Sequence, residues 1–206
     1  NCYMENLLIN LLINLLIGLT SAFFGVLWGH RMTVKLAHKK VTCQEQAFYF
    51  ELEILLNKYK HDLVHKFDDF NIPEKDKYVT GTPVVDMSLV NALIIELAAT
   101  DKVLNKELRT LMIHTANFSE SLVKTADSRE EINRIGSQKT EKFLILTKRM
   151  LREEVQLVFY LYKAINDKNN FRFGGYKYSE MANVACDLAD IEFDNQVWES
   201  IMPSDS

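Results

Sequence analysis

The stretch Leu7–Trp28, LLINLLINLLIGLTSAFFGVLW, decides the fold of this chain, because it holds twenty-two residues without a charged side chain. As a helix with a rise of about 1.5 Å per residue it reaches about 33 Å, enough to cross a bilayer core of about 30 Å. A cleavable signal sequence is the competing interpretation, but its apolar core is shorter and ends in small residues. Trp28-Gly29-His30-Arg31 offers no such site, so we expect residues 6–29 to form an uncleaved transmembrane helix.

Charges that flank the apolar stretch predict the orientation of the chain. One charged side chain, Glu5, precedes it, whereas four basic ones follow closely: Arg31, Lys35, Lys39 and Lys40. Because Lys and Arg collect on the cytoplasmic side, we expect a single-pass protein of the cell inner membrane with its C-terminal domain in the cytoplasm. The expected organisation is a short extracytoplasmic end (1–5), the transmembrane helix (6–29), a basic juxtamembrane segment (30–41) and a cytosolic helical domain (42–206). The first residues, Asn-Cys-Tyr-Met, indicate either a fragment or a natural start at Met4.

Polar and small residues of the transmembrane stretch share one face of the helix, called the seam below. At about 100° per residue, the seam carries Asn6, Asn10, Asn14, Gly18, Ser21, Ala22, Gly25 and Gly29. An asparagine amide that faces lipid lacks hydrogen-bond partners, whereas it pairs with the same residue of a second copy, and small residues let helix backbones approach closely. We therefore expect a homo-oligomer, either a helix dimer or a polar-lined pore. The alternative is a monomeric anchor in the bilayer that tolerates asparagine near one membrane face.

The composition argues against several classes of function. The chain carries 24 basic and 28 acidic residues and a net charge of −4, so we expect no binding of duplex nucleic acid. Three cysteines at no metal-like spacing predict free thiols. His61-Asp62-Leu63-Val64-His65 resembles a zinc-protease motif without an evident third ligand, so we expect a surface helix there and disfavour a hydrolase. No phosphate-binding loop, dinucleotide fingerprint or nucleophile motif appears, and we expect a protein that is not an enzyme and holds no cofactor or metal ion.

Apolar residues at helical spacing predict that the cytosolic part is mostly α. The first helix, Val41–Asp69, carries Phe48, Leu52, Leu55, Leu56, Tyr59, Leu63 and Phe67 on one face. Prolines and a glycine make 71–86 a loop. Capping residues predict a second helix from Ser88 to about Ala126 with a kink near Asp101 or Asn117, a third from Asp127 or Ser128 to about Asp167, and one or two short helices over 179–202. Together these elements predict an antiparallel helical bundle.

Residues 171–178 are expected to form a small β-hairpin. The run Asn170-Phe-Arg-Phe-Gly-Gly-Tyr-Lys-Tyr alternates aromatic residues and cations around a Gly-Gly pair, which is typical of a two-residue turn. In that register Arg172 faces Lys177, and like charges across a strand pair repel. An anion between them would relieve the repulsion, and Phe173 and Tyr176 offer rings on which a base stacks. These four residues are the first candidate ligand site; in the alternative, the rings cover the bundle core and the cations reach into water.

A basic stripe on the third predicted helix is the second candidate site. Arg149 and Arg152 lie with Arg134, Lys142 and Lys148 away from the apolar face of that helix. Such a stripe is typical of a solvated helix face. In a symmetric oligomer, however, several copies of the stripe would converge on a groove for a polyanion.

A membrane helix followed by a small cytosolic domain resembles the membrane-anchored effectors of bacterial anti-phage systems, in particular the ancillary membrane effectors of type III CRISPR immunity. The resemblance covers architecture and length, and a membrane effector of another defence system, such as a retron, has the same outline. It implies a cytosolic domain that senses cyclic oligoadenylate and a membrane part that compromises the bilayer. The expected function is an oligomeric effector that binds an anionic, cyclic oligonucleotide-like signal and disrupts the membrane in antiviral defence. The alternative is a non-enzymatic, membrane-tethered scaffold or adaptor that recruits a protein partner.

Replacing Asn10 and Asn14 together with leucine is expected to weaken oligomers in detergent. The seam then loses interhelical hydrogen bonds, each of which contributes about 0.6–2 kcal/mol. Analytical ultracentrifugation measures the oligomer size, and alanine at Leu12 and Leu16, on the opposite face, serves as the control. Unchanged oligomers in both the double variant and Gly25→Leu would show that the seam is not an interface.

Overall fold

The fold is almost entirely helical. A computed structural model describes residues 2–71, 81–134 and 141–201, with side chains described from Leu12 onwards. Its elements are α1 (Cys2–Asn71), α2 (Ser88–Ala98), α3 (Lys106–Arg134), α4 (Glu141–Asp167), a 3-10 turn (Lys168–Asn170), α5 (Tyr178–Leu188) and α6 (Asn195–Ile201). The predicted mostly α fold is confirmed, and none of the residues in these ranges belongs to a strand.

The N-terminal unit of the chain, 1–44, is the first part of α1. Every side chain from Leu12 to Lys40 is exposed, with Phe23 at 64% and Trp28 at 72%. Because removing apolar area from water contributes about 25 cal/mol per Å², the uncharged part of this surface, Leu12–Trp28, is unfavourable in water and suited to an apolar solvent. The helix is long and apolar enough to cross a membrane, with a mean hydropathy of 1.8 in its most apolar window.

The seam is exposed where its side chains are described. A Cβ added at Gly18, Gly25 or Gly29 would meet no atom within 4 Å, so this face has room for close approach of a second helix. The Thr20 hydroxyl donates to the Leu16 carbonyl oxygen at 2.8 Å and is satisfied within the helix. The side chains of Asn6 and Asn10 lie outside the described residues, and association through the seam stays a prediction.

The C-terminal unit, 45–206, is a helical bundle in which α4 packs against α3, α5 and α6. The stripe predicted for the first cytosolic helix is confirmed, since Phe48, Leu52, Leu55, Leu56, Tyr59 and Leu63 are buried. The next residue of that stripe, Phe67, is half-buried and stacks on Trp198 of α6, with ring centroids 5.4 Å apart. The core therefore joins residues from both ends of this unit.

Contacting side chains give the directions of the three long helices in this unit. The contacts are Glu45–Lys102 and Asp69–Arg129, which join α1 to the residues just before α3 and to α3 itself, and Ser121–Glu153 and Arg129–Met150 between α3 and α4. Residue numbers rise together in the first two contacts, so α1 and α3 run parallel. In the second two contacts they run oppositely, so α4 is antiparallel to α3, as expected of the bundle.

Two helix boundaries differ from the predictions. The second predicted helix is interrupted between Ala98 and Lys106, close to the kink expected at Asp101. The following helix, α3, then continues through Asp127 and Ser128, where a new helix was expected, because Arg129 on its inner face is buried and paired with Asp69. The Ser128 hydroxyl donates to the Lys124 carbonyl oxygen at 2.9 Å and caps no helix.

The predicted β-hairpin over 171–178 is wrong. Residues 171–177 form neither helix nor strand, and α5 begins at Tyr178. The aromatic side chains pack on α4 and not on one another across a strand pair; Tyr176, for example, meets Phe159 with ring centroids 4.8 Å apart. Because an isolated two-stranded hairpin is only marginally stable, packing on the preformed surface of α4 is the more favourable arrangement.

Trp198→Ala is expected to destabilise the bundle by about 3–5 kcal/mol, because it removes a large core side chain. Trp198 is 1% exposed and holds the short helix α6 against Phe67 of α1. Thermal unfolding of the full chain in detergent, followed by circular dichroism, measures the change. Trp28→Ala is the matched control, since Trp28 is exposed on the N-terminal part of α1. Equal melting temperatures for Trp198→Ala and the wild type would contradict the packing of α6.

Candidate functional site

The aromatic segment, residues 171–177, is the part of the structure that brings predicted site residues together. Phe171 is fully buried, and its ring meets the ring of Phe173 with centroids 5.2 Å apart. Phe173 in turn lies edge-on to Tyr160 of α4 at 5.2 Å and to His114 of α3 at 6.0 Å. These edge-to-face contacts hold the segment over the groove between α3 and α4.

Backbone hydrogen bonds of the aromatic segment lead to the start of α3. The Asn105 amide nitrogen Nδ2 donates to the carbonyl oxygens of Asn169 at 2.6 Å and Phe171 at 3.2 Å. The Asn105 side-chain oxygen accepts from the Leu108 N–H at 2.7 Å and so caps α3. The Phe173 N–H lies 3.4 Å from the Glu107 carboxylate. One asparagine therefore ties the first turn of α3 to the segment.

A cavity of about 160 Å³ opens beside the segment, and we call it the aromatic cleft. Its lining residues are Leu111, His114 and Phe118 from α3, Gln156, Leu157 and Tyr160 from α4, and Phe173. The walls are largely apolar and aromatic, and the lining residues with polar side-chain groups are His114, Gln156 and Tyr160. The Gln156 amide nitrogen donates to the Tyr178 hydroxyl at 2.8 Å. An apolar cavity of about 150 Å³ holds a benzene molecule, so the aromatic cleft has room for one planar ring.

The two cations of the first candidate site do not face each other. Arg172 is exposed, and its guanidinium donates to the carbonyl oxygens of Phe171 at 2.7 Å and Asn169 at 3.5 Å. Lys177 is exposed at the start of α5, and its N–H lies 3.4 Å from the Glu180 carboxylate. Without the hairpin there is no cross-strand repulsion for an anion to relieve. The cations remain solvent-accessible neighbours of the ring that lines the cleft.

Residues of the basic stripe are engaged within the bundle. Arg149 pairs with Glu153 at 3.0 Å and donates to the Ser121 hydroxyl at 3.0 Å. Arg152 donates to the Lys148 carbonyl oxygen at 3.3 Å, and the Lys148 ammonium donates to the Ser200 carbonyl oxygen at 2.7 Å. The stripe thus joins α4 to α3 and α6, and an anion would compete there with existing partners.

The two histidines of α1 form a pair without further ligands. Their Nε2 atoms, on His61 and His65, are 3.1 Å apart, and the rings are edge to face. Asp62, which the protease motif would use as a base, is buried and bonded to Lys66 at 2.9 Å. In the ranges with described side chains no three His, Cys, Asp or Glu residues come close enough to hold a metal ion.

A cluster of buried ionisable residues was not predicted from the sequence; we call it the charged core. It consists of Asp62, Lys66 and Asp69 of α1, Arg129 of α3 and Glu154 of α4, each at most 8% exposed. The signal was present in the spacing, because positions 62, 66 and 69 continue the apolar stripe through Tyr59 and Leu63 at helical periodicity. Charged residues in a core stripe indicate buried partners.

Comparison with models of known families, with curated proteins and with solved structures finds no match to this chain.

Gly174→Ala is expected to loosen the aromatic segment, whereas Gly175→Ala is not. A Cβ at Gly174 would lie 2.7 Å from the Tyr176 ring, while one at Gly175 would meet no atom within 4 Å. Displacing that ring weakens its contact with Phe159. The aromatic segment should then detach from α4 and be accessible to protease about two- to tenfold more often. Trypsin cleavage after Arg172 and Lys177, quantified by mass spectrometry, measures the opening. Equal cleavage rates in the two variants would contradict this packing.

Proposed function

We propose that the chain is an oligomeric, single-pass membrane effector whose helical domain binds the base of a nucleotide-like signal in the aromatic cleft. The main support for this proposal is a ring-sized cavity with aromatic walls in a protein that also has a helix apolar enough to span a bilayer. A base stacks on such rings regardless of its sequence context, with about 1–3 kcal/mol for each stacked base. The polar edges of a base find donors and acceptors in Gln156 and His114.

The phosphate of the signal is proposed to contact Arg172 and Lys177. Both side chains are exposed, and Arg172 directly precedes the ring of Phe173 that lines the cleft. Arg172 donates to carbonyl oxygens and forms no ion pair with a carboxylate of the described residues, so its remaining donors are available to a phosphate oxygen. Glu107 and Glu180 lie at the same segment, so the two cations are proposed to contact the one phosphate next to the bound base and not a run of phosphates.

The proposed mechanism couples occupancy of the aromatic cleft to the packing of the membrane helices. A ligand shifts such an equilibrium only if it binds the active arrangement more tightly than the resting one. The seam would hold several copies together, and the signal would favour the arrangement in which the bilayer is opened or thinned. Because the chain resembles the membrane-anchored effectors of bacterial anti-phage systems in architecture, antiviral defence is the proposed setting. A cyclic oligoadenylate is the first signal to test.

A scaffold or adaptor is the second candidate function, and exposed apolar side chains favour it. Ile95 and Leu89 of α2 are 72% and 52% exposed, and Ile113 of α3 is 62% exposed. Side chains of this kind anchor protein partners when they are contiguous. In this case the membrane helix would localise the bundle, and the bilayer would stay intact.

Blocking the aromatic cleft is the test of ligand binding. His114→Trp places a larger ring at the exposed edge of the cleft and should reduce affinity for adenosine 5′-monophosphate or a cyclic oligoadenylate at least about tenfold. Ala116→Trp is the control, because Ala116 is exposed on the same helix and does not line the cleft. Arg172→Ala should cost about 1.5–3 kcal/mol with either nucleotide. Calorimetry with the full chain in detergent measures these affinities, with inorganic phosphate as the probe that lacks a base.

Membrane potential distinguishes the two candidate functions. Cells that express the chain together with the signal should depolarise, and cells with His114→Trp should not. Loss of a co-purifying protein in Ile95→Asp, with no depolarisation under any condition, would favour the scaffold. If neither nucleotide binds the wild-type chain, the proposed ligand class is wrong.

A further inference from the structure

The charged core carries an imbalance of charge. Among the described residues it holds three acids (Asp62, Asp69 and Glu154) and two bases (Lys66 and Arg129), all removed from water. Fully ionised, the five groups would leave one uncompensated negative charge in the interior. Such a charge costs several kcal/mol even after relaxation of its surroundings, so a proton or a further cation is needed to balance it.

Both bases already have an acid of their own. Lys66 pairs with the Oδ1 atom of Asp62 at 2.9 Å and also donates to the Gly81 carbonyl oxygen at 3.3 Å. Arg129 pairs with the Oδ2 atom of Asp69 at 2.9 Å, and its guanidinium lies 4.7 Å from the centre of the Phe143 ring. Glu154 is therefore the acid of the charged core that has no ion-pair partner among the described residues.

The carboxyl oxygens of the charged core that lack a hydrogen-bond partner belong to two residues that lie close together, Glu154 and Asp62. Both oxygens of Glu154 and the Oδ2 atom of Asp62 are buried and receive no hydrogen bond from the part of the chain that the structure describes. The two side chains lie within hydrogen-bonding reach of each other, but two carboxylates have no hydrogen to share. If one of them is protonated, its O–H donates to the other. A single proton thus satisfies two of these three oxygens, one on each residue, and also balances the charge.

Glu154 is the residue on which this proton resides. Burial, followed by the nearby Asp62 carboxylate, raises the pKa of Glu154 well above its ordinary value, and the weaker influences of Lys66 and Arg129 oppose the shift. The Oδ1 atom of Asp62 pairs with the ammonium group of Lys66 at 2.9 Å, so its Oδ2 atom is left to accept a hydrogen bond. The neutral acid at Glu154 and the carboxylate at Asp62 form a complementary donor and acceptor.

We propose that the folded bundle contains a proton-binding site in which Asp62 and Glu154 share one proton, and that release of this proton loosens the packing of α1 against α4. The site is independent of the aromatic cleft and of the proposed function. It would make the stability of the bundle respond to alkalinisation of the compartment that surrounds it.

The groups that act on Glu154 come from two helices. Tyr59, Asp62 and Lys66 approach from α1 and Arg129 approaches from α3. Burial raises the pKa of Tyr59 to about 12, so this hydroxyl stays neutral and does not titrate in the same range. Helices α5 and α6, which also pack on α4, contribute no charged group that shifts Glu154 in the described part of the chain.

The sign of the pH dependence follows from proton counting. Above the ordinary glutamate pKa of 4.5 the unfolded chain has lost this proton, whereas the folded bundle keeps it until the pH reaches the raised value. Between these two limits the folded state binds one proton more. Stability is then fully present at the acidic end and falls as the pH rises, with the folding equilibrium constant decreasing about tenfold per pH unit from this site.

Glu154→Gln is the variant that tests the site. A glutamine is neutral at every pH, and its amide N–H₂ donates to Asp62 as the protonated acid would. Urea unfolding of the full chain in detergent is measured between about pH 5 and 9 in wild type, Glu154→Gln and Glu192→Gln, with the folding equilibrium followed as a function of pH. Glu192 is the matched control because its side chain is exposed. Trp28→Phe as a common background leaves the buried Trp198 as the fluorescent reporter of the bundle.

The expected result is a steeper loss of stability with rising pH in wild type and in Glu192→Gln than in Glu154→Gln. The slopes should differ by about one proton, and Glu154→Gln should be the most stable of the three at the alkaline end. Equal slopes in all three proteins would overturn the proposal. Infrared spectroscopy of the wild type provides a second measurement, which does not require the variant to fold. A protonated carboxyl band that persists at neutral pH supports the shared proton, and its absence would also overturn the proposal.

Discussion

The ion pair between Asp69 and Arg129 is the interaction on which the order of the bundle depends. It joins α1 to α3 in the interior, with the two charged groups 2.9 Å apart and Arg129 fully buried. A buried pair of this kind adds little net stability compared with apolar residues. Removing one partner, however, costs about 3–5 kcal/mol because the other charge is left buried and unpaired. The pair therefore excludes any register of α1 and α3 in which Arg129 lacks a carboxylate. It also explains why α3 continues past Ser128, where a new helix was expected.

Much of the fold could be predicted because the helices are amphipathic over long stretches. The stripe from Phe48 to Leu63 was enough to place the C-terminal part of α1 in the core. The hairpin was mispredicted because that prediction also relied on local sequence pattern. Alternating rings around Gly174 and Gly175 satisfy the pattern of a two-residue turn. The local pattern contains no information about α4. The rings of the segment pack on Phe159 and Tyr160 of that helix instead of on one another across a strand pair.

Only part of the candidate site could be predicted from the sequence. Phe173 and Tyr176 could be singled out as rings with a ligand-binding potential, and Phe173 does line the aromatic cleft. The opposite wall comes from His114 and Phe118, about sixty residues earlier, and only the parallel and antiparallel arrangement of the long helices brings them together. The charged core was missed because each of its members belongs to a residue type that is ordinarily exposed. Their burial follows from the packing of three helices at once.

The double role of Asn105 has a consequence for the ageing of the protein. Its side-chain amide donates to the carbonyl oxygens of Asn169 and Phe171 while its oxygen caps α3. Deamidation would replace the donor nitrogen with a carboxylate oxygen and place a negative charge against two carbonyl oxygens. The cap of α3 would survive, because a carboxylate accepts the Leu108 N–H as well as an amide does. A single hydrolysis would thus remove a polar tie between the aromatic segment and α3, while the ring contacts on α4 and the cap of α3 remain.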